Sequence, residues 1–209
     1  AQEVEFKAPD PGVPQIFTLK GEFVRIAYNN EGYVSLGYRL ANMSVGGEWM
    51  RLEVGMTVRQ GGTNYILKRE NISIETPDGK TIPLATNQEF RQTDLRALEM
   101  VGSKMPHDPI NYFPPGATTL QPLRFFAEID AAEPIAFDQV ELTHLAACVG
   151  RLFFNIPGGI QYGQHWLNVP FATSLVRAPF YIMTKEEEKK FSKEWQDIKK
   201  QHEAAFGKQ

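Results

Sequence analysis

The feature that most constrains the fold is a series of short segments in which apolar and polar residues alternate. In the clearest segment, residues 50 to 58, one face is entirely apolar and the other carries Arg51, Glu53, Gly55 and Thr57. Successive side chains of a strand point to opposite faces, so this pattern predicts a half-buried β-strand. Similar patterns predict strands at residues 23–28, 34–40, 64–69, 71–75, 80–84, 123–129, 138–149, 151–156, 162–169 and 175–183.

Turn signals join several of these strands. Asn29-Asn30-Glu31-Gly32 supplies residues that tolerate positive φ, and Thr76-Pro77-Asp78-Gly79 combines a proline that presets φ with a glycine, so each predicts a hairpin. Pro157-Gly158-Gly159 predicts a sharp turn between two further strands. Pro170 and Pro179 indicate edge strands or bulges, because proline cannot donate to a neighbouring strand.

A helix is predicted to interrupt the β pattern. Thr86 and Glu89 have the spacing of a capping box, in which each side chain satisfies a free backbone N–H of the first turn. The helix is expected over about residues 87–100, and Gly102 is a plausible C-terminal stop.

A second helix is predicted at the end of the chain, where Thr184 and Glu187 repeat the capping-box spacing. One narrow face of this helix carries a stripe of mostly aromatic and apolar side chains: Phe191, Trp195, Ile198, His202 and Phe206. The stripe must pack on its own sheet or on a partner. Its own domain is favoured, because exposed Trp and Phe side chains would form a costly apolar patch.

Together these elements predict a mainly β protein: a single β-sandwich, Ig-like or jelly-roll-like, with one inserted helix and a C-terminal amphipathic helix. Residues 1–14 are rich in proline and are expected to form an extended arm. The sandwich domain is expected over residues 15–183, including a proline-rich loop at 103–122 of a length that is often functional. Residues 184–209 form the terminal helix.

Charge and hydropathy argue against several classes of function. The formal net charge is −3 and the isoelectric point is about 5.9, so no nucleic-acid partner is expected. No apolar stretch reaches about 18 residues, so no transmembrane segment is expected, while peripheral association with a membrane complex stays open. The single cysteine, Cys148, lies among small apolar residues and is expected to be an inert core residue.

The sequence carries no motif for a metal, a cofactor or a catalytic nucleophile. None of the four histidines lies three or four residues from another, and the spacing from Cys148 to His165 and Met183 is too long for a copper-binding loop. There is no G-x-S-x-G nucleophile elbow and no phosphate-binding glycine loop. We therefore expect no catalytic, metal-binding or cofactor-binding residues.

The candidate interaction surface draws on two groups of aromatic residues. Tyr162, His165 and Trp166 follow the glycine-rich turn, and amphipathic rings at this spacing suit a carbohydrate platform or a protein-interface hot spot. Ordinary packing of an aromatic strand into the core is the simpler interpretation. The second group comes from the stripe of the terminal helix: Phe191, Trp195 and Phe206.

An enzyme with a dispersed active site is a third possibility. His107 and Asp108 lie in the proline-rich loop, and functional groups often gather on long loops held by a rigid scaffold. His144 and His165 could act with them only if folding brings these groups within hydrogen-bond reach of one substrate. A solvated turn is the simpler interpretation of His107 and Asp108.

The chain begins Ala1-Gln2-Glu3, which fits cleavage by a signal peptidase after a small-residue site, although a trimmed chain would begin in the same way. The stretches Leu52-Glu53-Val54-Gly55, Thr76-Pro77-Asp78-Gly79-Lys80 and Ile156-Pro157-Gly158-Gly159-Ile160 resemble those of uncharacterised exported bacterial β-sandwich proteins. The resemblance implies only the fold class and the compartment. We therefore expect a periplasmic or extracellular protein.

These observations favour a non-enzymatic exported protein that acts through contacts with protein partners, as an accessory subunit of a larger extracytoplasmic or membrane-associated complex. The arm, the long loop and the terminal helix are three elements that could reach a neighbour. The alternative function is a carbohydrate- or small-ligand-binding module that uses Tyr162 and Trp166.

Overall fold

The computed structural model describes residues 12–129, 132 and 135–206, without the side chains of His202, Ala205 and Phe206. Most of the predicted arm at 1–14 therefore lies outside the described residues. The strands are β1 (Ile16–Gly21), β2 (Val24–Tyr28), β3 (Gly32–Gly37), β4 (Trp49–Val58), β5 (Tyr65–Lys68), β6 (Ser73–Glu75), β7 (Thr81–Pro83), β8 (Thr119–Leu123), β9 (Gln139–Leu142), β10 (Ala146–Asn155), β11 (Gly163–Pro170) and β12 (Leu175–Ile182). The α-helices are α1 (Arg39–Met43), α2 (Asn87–Gln92), α3 (Arg96–Lys104) and α4 (Lys185–Phe206).

Two sheets form a β-sandwich around one core. The larger sheet has the strand order β1-β2-β3-β4-β10-β8, and the smaller has the order β12-β11-β6-β7. Neighbouring strands are antiparallel except β8 and β10, which are parallel. Leu36 and Leu52 from the larger sheet share a buried apolar cluster with Leu167 and Phe180 from the smaller one. The predicted mainly β sandwich is confirmed, and β5 and β9 add a separate two-stranded sheet.

Both predicted hairpins are present. Strands β2 and β3 pair antiparallel, and Asn29 closes their turn by accepting hydrogen bonds from the backbone N–H groups of Glu31 and Gly32, each at 2.9 Å. Strands β6 and β7 also pair antiparallel, and Gly79 in their turn has a φ of 80°. A side chain would be strained at that φ, so the glycine predicted for this turn is required by its backbone.

The prediction that β4 is half-buried is wrong for its second face. Arg51 and Thr57, which were expected to face solvent, are buried. A stretch of the proline-rich loop, residues 105–118, lies across this face, and we call it the strap. The ring of Phe113 in the strap lies directly over Gly55. Arg51 is covered by α3 instead, where the carboxylate of Glu99 lies 3.5 Å from its guanidinium. Long-range contacts, which local periodicity does not encode, therefore cover the polar side of the strand.

The strap is also held by two polar contacts within it. Asp108 accepts two hydrogen bonds from the Arg39 guanidinium, at 2.8 and 3.0 Å, which is the paired geometry that makes Arg–carboxylate contacts strong. Further along, the hydroxyl of Tyr33 donates to the backbone carbonyl of Tyr112. Residues with no regular secondary structure thus form an ordered cover on the larger sheet.

The single helix predicted at residues 87–100 is two helices. Its capping box at Thr86 and Glu89 is confirmed, but the helix ends at Gln92 and a new one begins at Arg96. The carboxylate of Asp94 accepts a hydrogen bond from the backbone N–H of Arg96 at 3.1 Å, so it competes with continuation of the first helix. The predicted stop at Gly102 is also wrong, because Gly102 lies inside α3.

Strand boundaries in the second half of the chain shift as well. The strand predicted at 123–129 is replaced by β8, which ends at Leu123. The two strands predicted at 138–149 and 151–156 are regrouped as β9 and a long β10 that continues through Gly150. A side chain at Gly150 would collide with the backbone of Leu123, so the close β8–β10 pairing depends on this glycine.

The C-terminal helix is confirmed as α4. Thr184 and Glu187 form the predicted capping box, with the backbone N–H of Thr184 donating to the Glu187 carboxylate at 2.8 Å. Among the described residues, no helix is long and apolar enough to cross a membrane.

Candidate interaction surfaces

The beginning of α4 is fixed to the sandwich. The carboxylate of Glu188 accepts a hydrogen bond from the amide of Asn42 at 3.1 Å, and Phe191 packs against the core. One residue later, the hydroxyl of Ser192 donates to the carboxylate of Glu22. Phe191 therefore packs on its own domain, as predicted for the stripe.

The stripe then continues beyond the sandwich. In the part of the chain that the structure describes, Ser192 is the last residue of α4 that makes a polar contact with another element. Trp195 is partly exposed and Ile198 is 53% exposed, although both lie on the same helical face as Phe191. The helix past Ser192 is about 20 Å long at 1.5 Å per residue. The side chain of the candidate residue Phe206 lies outside the described residues.

The strand β11 separates the other three candidate residues. Side chains alternate along a strand, so His165 points into the core while Trp166 points to the outer face of the smaller sheet. His165 is fully buried and stacks on Phe180 with ring centroids 5.2 Å apart. Tyr162, just before the strand, is 51% exposed. The structure therefore does not bring His165 to a surface with Tyr162 and Trp166.

The setting of His165 favours its neutral form. Burial lowers the pKa of the imidazole, while a contact of 3.0 Å between Nδ1 and the carbonyl of Gly163 acts in the opposite direction. The other ring nitrogen, Nε2, is buried without a hydrogen-bond partner among the described residues. This histidine is a core residue with a polar edge.

Trp166 covers a buried ion pair. The guanidinium of Arg177 lies 4.5 Å from the indole centroid and donates to the carboxylate of Glu75 at 2.7 Å. Asn168 accepts a second hydrogen bond from this guanidinium at 3.2 Å. Neither Glu75 nor Arg177 was predicted from the sequence to be a site residue. The available signal was a charged residue placed between Val176 and Ala178 in an otherwise apolar strand.

A cavity of about 420 Å³ opens beside Trp166. It lies between β11 and the turn that joins β6 to β7, and its lining combines polar and apolar groups: Glu75, Thr76, Pro77, Asp78, Gly79, Gln164 and Trp166. Hydrogen bonds from the Lys80 ammonium and the Thr76 hydroxyl lower the pKa of Asp78 to about 2. Asp78 is therefore an ionised hydrogen-bond acceptor at neutral pH.

The residues considered for a dispersed active site have separate partners. His107 is largely exposed, with its Nδ1 atom 3.5 Å from the carboxylate of Glu53. Asp108 is paired with Arg39, and His165 is buried on Phe180 in the sandwich core. His144 lies between β9 and β10.

Within the described ranges, no group of three or more His, Cys, Asp or Glu side chains could hold a metal ion. Cys148 is buried, and burial raises the pKa of its thiol to about 11. The thiol is therefore protonated at neutral pH, which makes it a poor nucleophile.

Comparisons with protein-family models, with curated proteins and with solved structures found no match to this chain. Function is therefore inferred from the contacts, burial and charge of its own residues.

Proposed function

We propose that this protein is a non-enzymatic, exported β-sandwich that acts through protein–protein contacts, as an accessory subunit of a larger extracytoplasmic or membrane-associated complex. The contact surface is the face of α4 that carries Trp195 and Ile198. The observation that carries this proposal is the course of one apolar stripe, which begins in the core at Phe191 and continues onto exposed helix.

The first turns of α4 give the exposed part a defined direction. Bonds from Asn42 to Glu188 and from Ser192 to Glu22 hold the helix on both sides of Phe191. A helix that is anchored at one end loses less conformational entropy on binding than a free peptide does, so more of the interaction energy appears as affinity.

The spacing of the stripe indicates the kind of partner surface. Residues 191, 195 and 198 are separated by four and three positions, which is the spacing of anchors on an amphipathic helix that lies in an apolar groove. The surrounding helix carries six Lys and six acidic residues over 185–206, so its charge is balanced. The partner should therefore offer an apolar groove with a polar rim of mixed charge.

Affinity purification from the native envelope fraction tests this proposal. The full chain is compared with the double variant Trp195→Ala/Ile198→Ala and with Gln196→Ala, whose exposed side chain lies off the stripe. We expect a stoichiometric protein partner that is lost with the double variant and retained with Gln196→Ala. A photo-crosslinking residue at position 198 should join the same partner.

Two results would contradict the proposal. In the first, the protein is a monomer by light scattering and affinity purification recovers no partner. In the second, a partner binds the double variant as well as it binds the native chain. Circular dichroism of each variant checks that α4 still forms. The export part of the proposal is tested by fractionating cells that express the complete gene, where recovery in the cytosol alone would contradict it.

A further inference from the structure

We propose that the cavity beside Trp166 is a second, independent site, which binds a neutral pyranose unit of an oligosaccharide. The sugar would stack one face on the indole while its hydroxyl groups hydrogen-bond to the polar rim. The site lies on the outer face of the smaller sheet and uses no residue of α4.

The indole of Trp166 is held in place before any ligand arrives. The Arg177 guanidinium lies 4.5 Å from the ring centroid, and the Phe17 ring makes a T-shaped contact with centroids 6.2 Å apart. Because Arg177 is itself fixed by Glu75 and Asn168, the ring rests on a rigid base. A fixed aromatic ring loses little rotamer freedom on binding, which favours affinity for a weakly held ligand.

Stacking explains why the ligand would be a pyranose. The C–H groups on one face of a pyranose ring carry slight positive charge and are apolar. They therefore match the negative face of an indole, and they bury apolar surface when they contact it. A planar anion would not match, because the face of the ring is electron-rich.

The rim provides the acceptors that sugar hydroxyls need. Asp78 presents its carboxylate to the cavity, and Gln164 adds an amide. A hydroxyl that donates to a carboxylate makes a stronger hydrogen bond than one that donates to a neutral group. The Asp78 carboxylate is the accessible charge among the residues that line the cavity, so a uronic acid would meet a like charge and the ligand should be neutral.

The turn that forms one wall is rigid. The backbone N–H of Thr76 donates to the carbonyl of Lys80 at 3.0 Å, and that of Gly79 donates to the carbonyl of Thr76 at 2.9 Å. The cavity is about 420 Å³, within the range of about 300 to 1,000 Å³ typical of small-molecule pockets. The site thus has a fixed platform, fixed acceptors and sufficient room.

Calorimetric titration with neutral tetrasaccharides tests the proposal. The probes are cellotetraose, chitotetraose, mannotetraose and xylotetraose, and tetragalacturonate is the anionic comparison. We expect saturable binding of at least one neutral probe and none of tetragalacturonate. Trp166→Ala should weaken binding at least about tenfold, equivalent to about 1.4 kcal/mol. Trp166→Phe, which keeps an aromatic platform, should lose less.

Trp195→Ala is the matched control, because it removes a tryptophan from the proposed protein-contact face of α4 and should leave sugar binding unchanged. Gln164→Ala tests the rim without disturbing the ion pair beneath the indole, and it should weaken binding. Failure of every neutral probe to bind the folded native chain would overturn the proposal. So would equal binding by Trp166→Ala. Neither result bears on the contact face of α4.

Discussion

The ring of Phe113 occupies the space over Gly55 that a side chain would otherwise fill. An added methyl group there would lie closer to the ring than van der Waals contact allows. Since Gly55 is in the middle of β4 and Phe113 is in the strap, this contact joins an irregular segment to the central strand of the larger sheet.

Gly55→Ala should therefore destabilise the protein. The methyl group would push Phe113 off the sheet, and such overpacking typically costs about 1 to 3 kcal/mol. Urea denaturation measures the change as a lower midpoint. In a Phe113→Ala background the space is vacant, so the same substitution should cost much less. Equal destabilisation in both backgrounds would show that the effect does not arise from this contact.

Local sequence signals were sufficient to predict much of the sandwich. The turn at residues 76–79 contains the positive-φ glycine that was predicted, and alternation identified the core face of β4. The turn at residues 29–32 was also predicted, but for the wrong reason: the side chain of Asn29 closes it, and none of its residues has a positive φ. The capping boxes at Thr86 and Thr184 were also readable, because both partners lie within one turn. Each of these features depends on residues that are near one another in the chain.

The features that were missed depend on contacts distant in sequence or on competition between nearby signals. No local pattern shows that Phe113 of the strap would cover Gly55 or that Gly102 of α3 would lie against Arg51, since each pair is more than 50 positions apart in the chain. The break between α2 and α3 arises because the Asp94 side chain competes with the helix for the backbone N–H of Arg96.

The candidate surface was only partly predictable for the same reason. The alternation of side chains along β11 already predicts that His165 and Trp166 lie on opposite faces of the strand. They were placed in one candidate site only because both are aromatic. The carboxylate of Glu75 and the guanidinium of Arg177 are 102 positions apart in the chain, so only the sheet register brings them beneath the indole. A single sequence does not show the order of the strands in a sheet.

Removing one partner of the buried Glu75–Arg177 pair should be strongly destabilising. Both side chains are nearly inaccessible to water, so Glu75→Ala would leave an uncompensated buried cation, with an expected loss of about 3 to 5 kcal/mol. Urea unfolding followed by far-UV circular dichroism measures this loss.

Two comparisons identify the cause. Replacing both partners with apolar residues, as Glu75→Leu/Arg177→Met, should recover a large part of the stability because no buried charge remains. Lys80→Ala removes an exposed ion pair with Asp78 and should cost less than about 1 kcal/mol. If the double variant is no more stable than Glu75→Ala, the isolated charge is not the cause.

The thiol of Cys148 should react only when the protein unfolds. It is fully buried, and burial raises its pKa to about 11. In the native state at pH 8 a reagent therefore cannot reach the thiol, and the thiol is not ionised. A chromogenic disulfide reagent should give one reactive thiol in urea and a very slow reaction in buffer, at a rate that follows unfolding. Cys148→Ala supplies the zero level. Rapid native-state labelling would mean that the strand β10 opens locally.

Stability should decrease as the pH falls below about 6.5, and His165 should account for much of this change. Burial lowers its pKa in the folded state below the ordinary value for histidine, about 6.5, so the unfolded chain takes up the proton first. Between the two pKa values the unfolded state binds more protons, and the free energy of unfolding falls by up to about 1.4 kcal/mol per pH unit. The carboxylates with lowered pKa, such as Asp78 at about 2, lose their stabilising effect only at lower pH.

Urea unfolding between pH 5 and 8, analysed as a two-state transition, measures how the free energy of unfolding changes with pH. The slope of this dependence should be smaller in His165→Phe and unchanged when the exposed His107 is changed to Gln. An unchanged slope in His165→Phe would assign the pH dependence to another group.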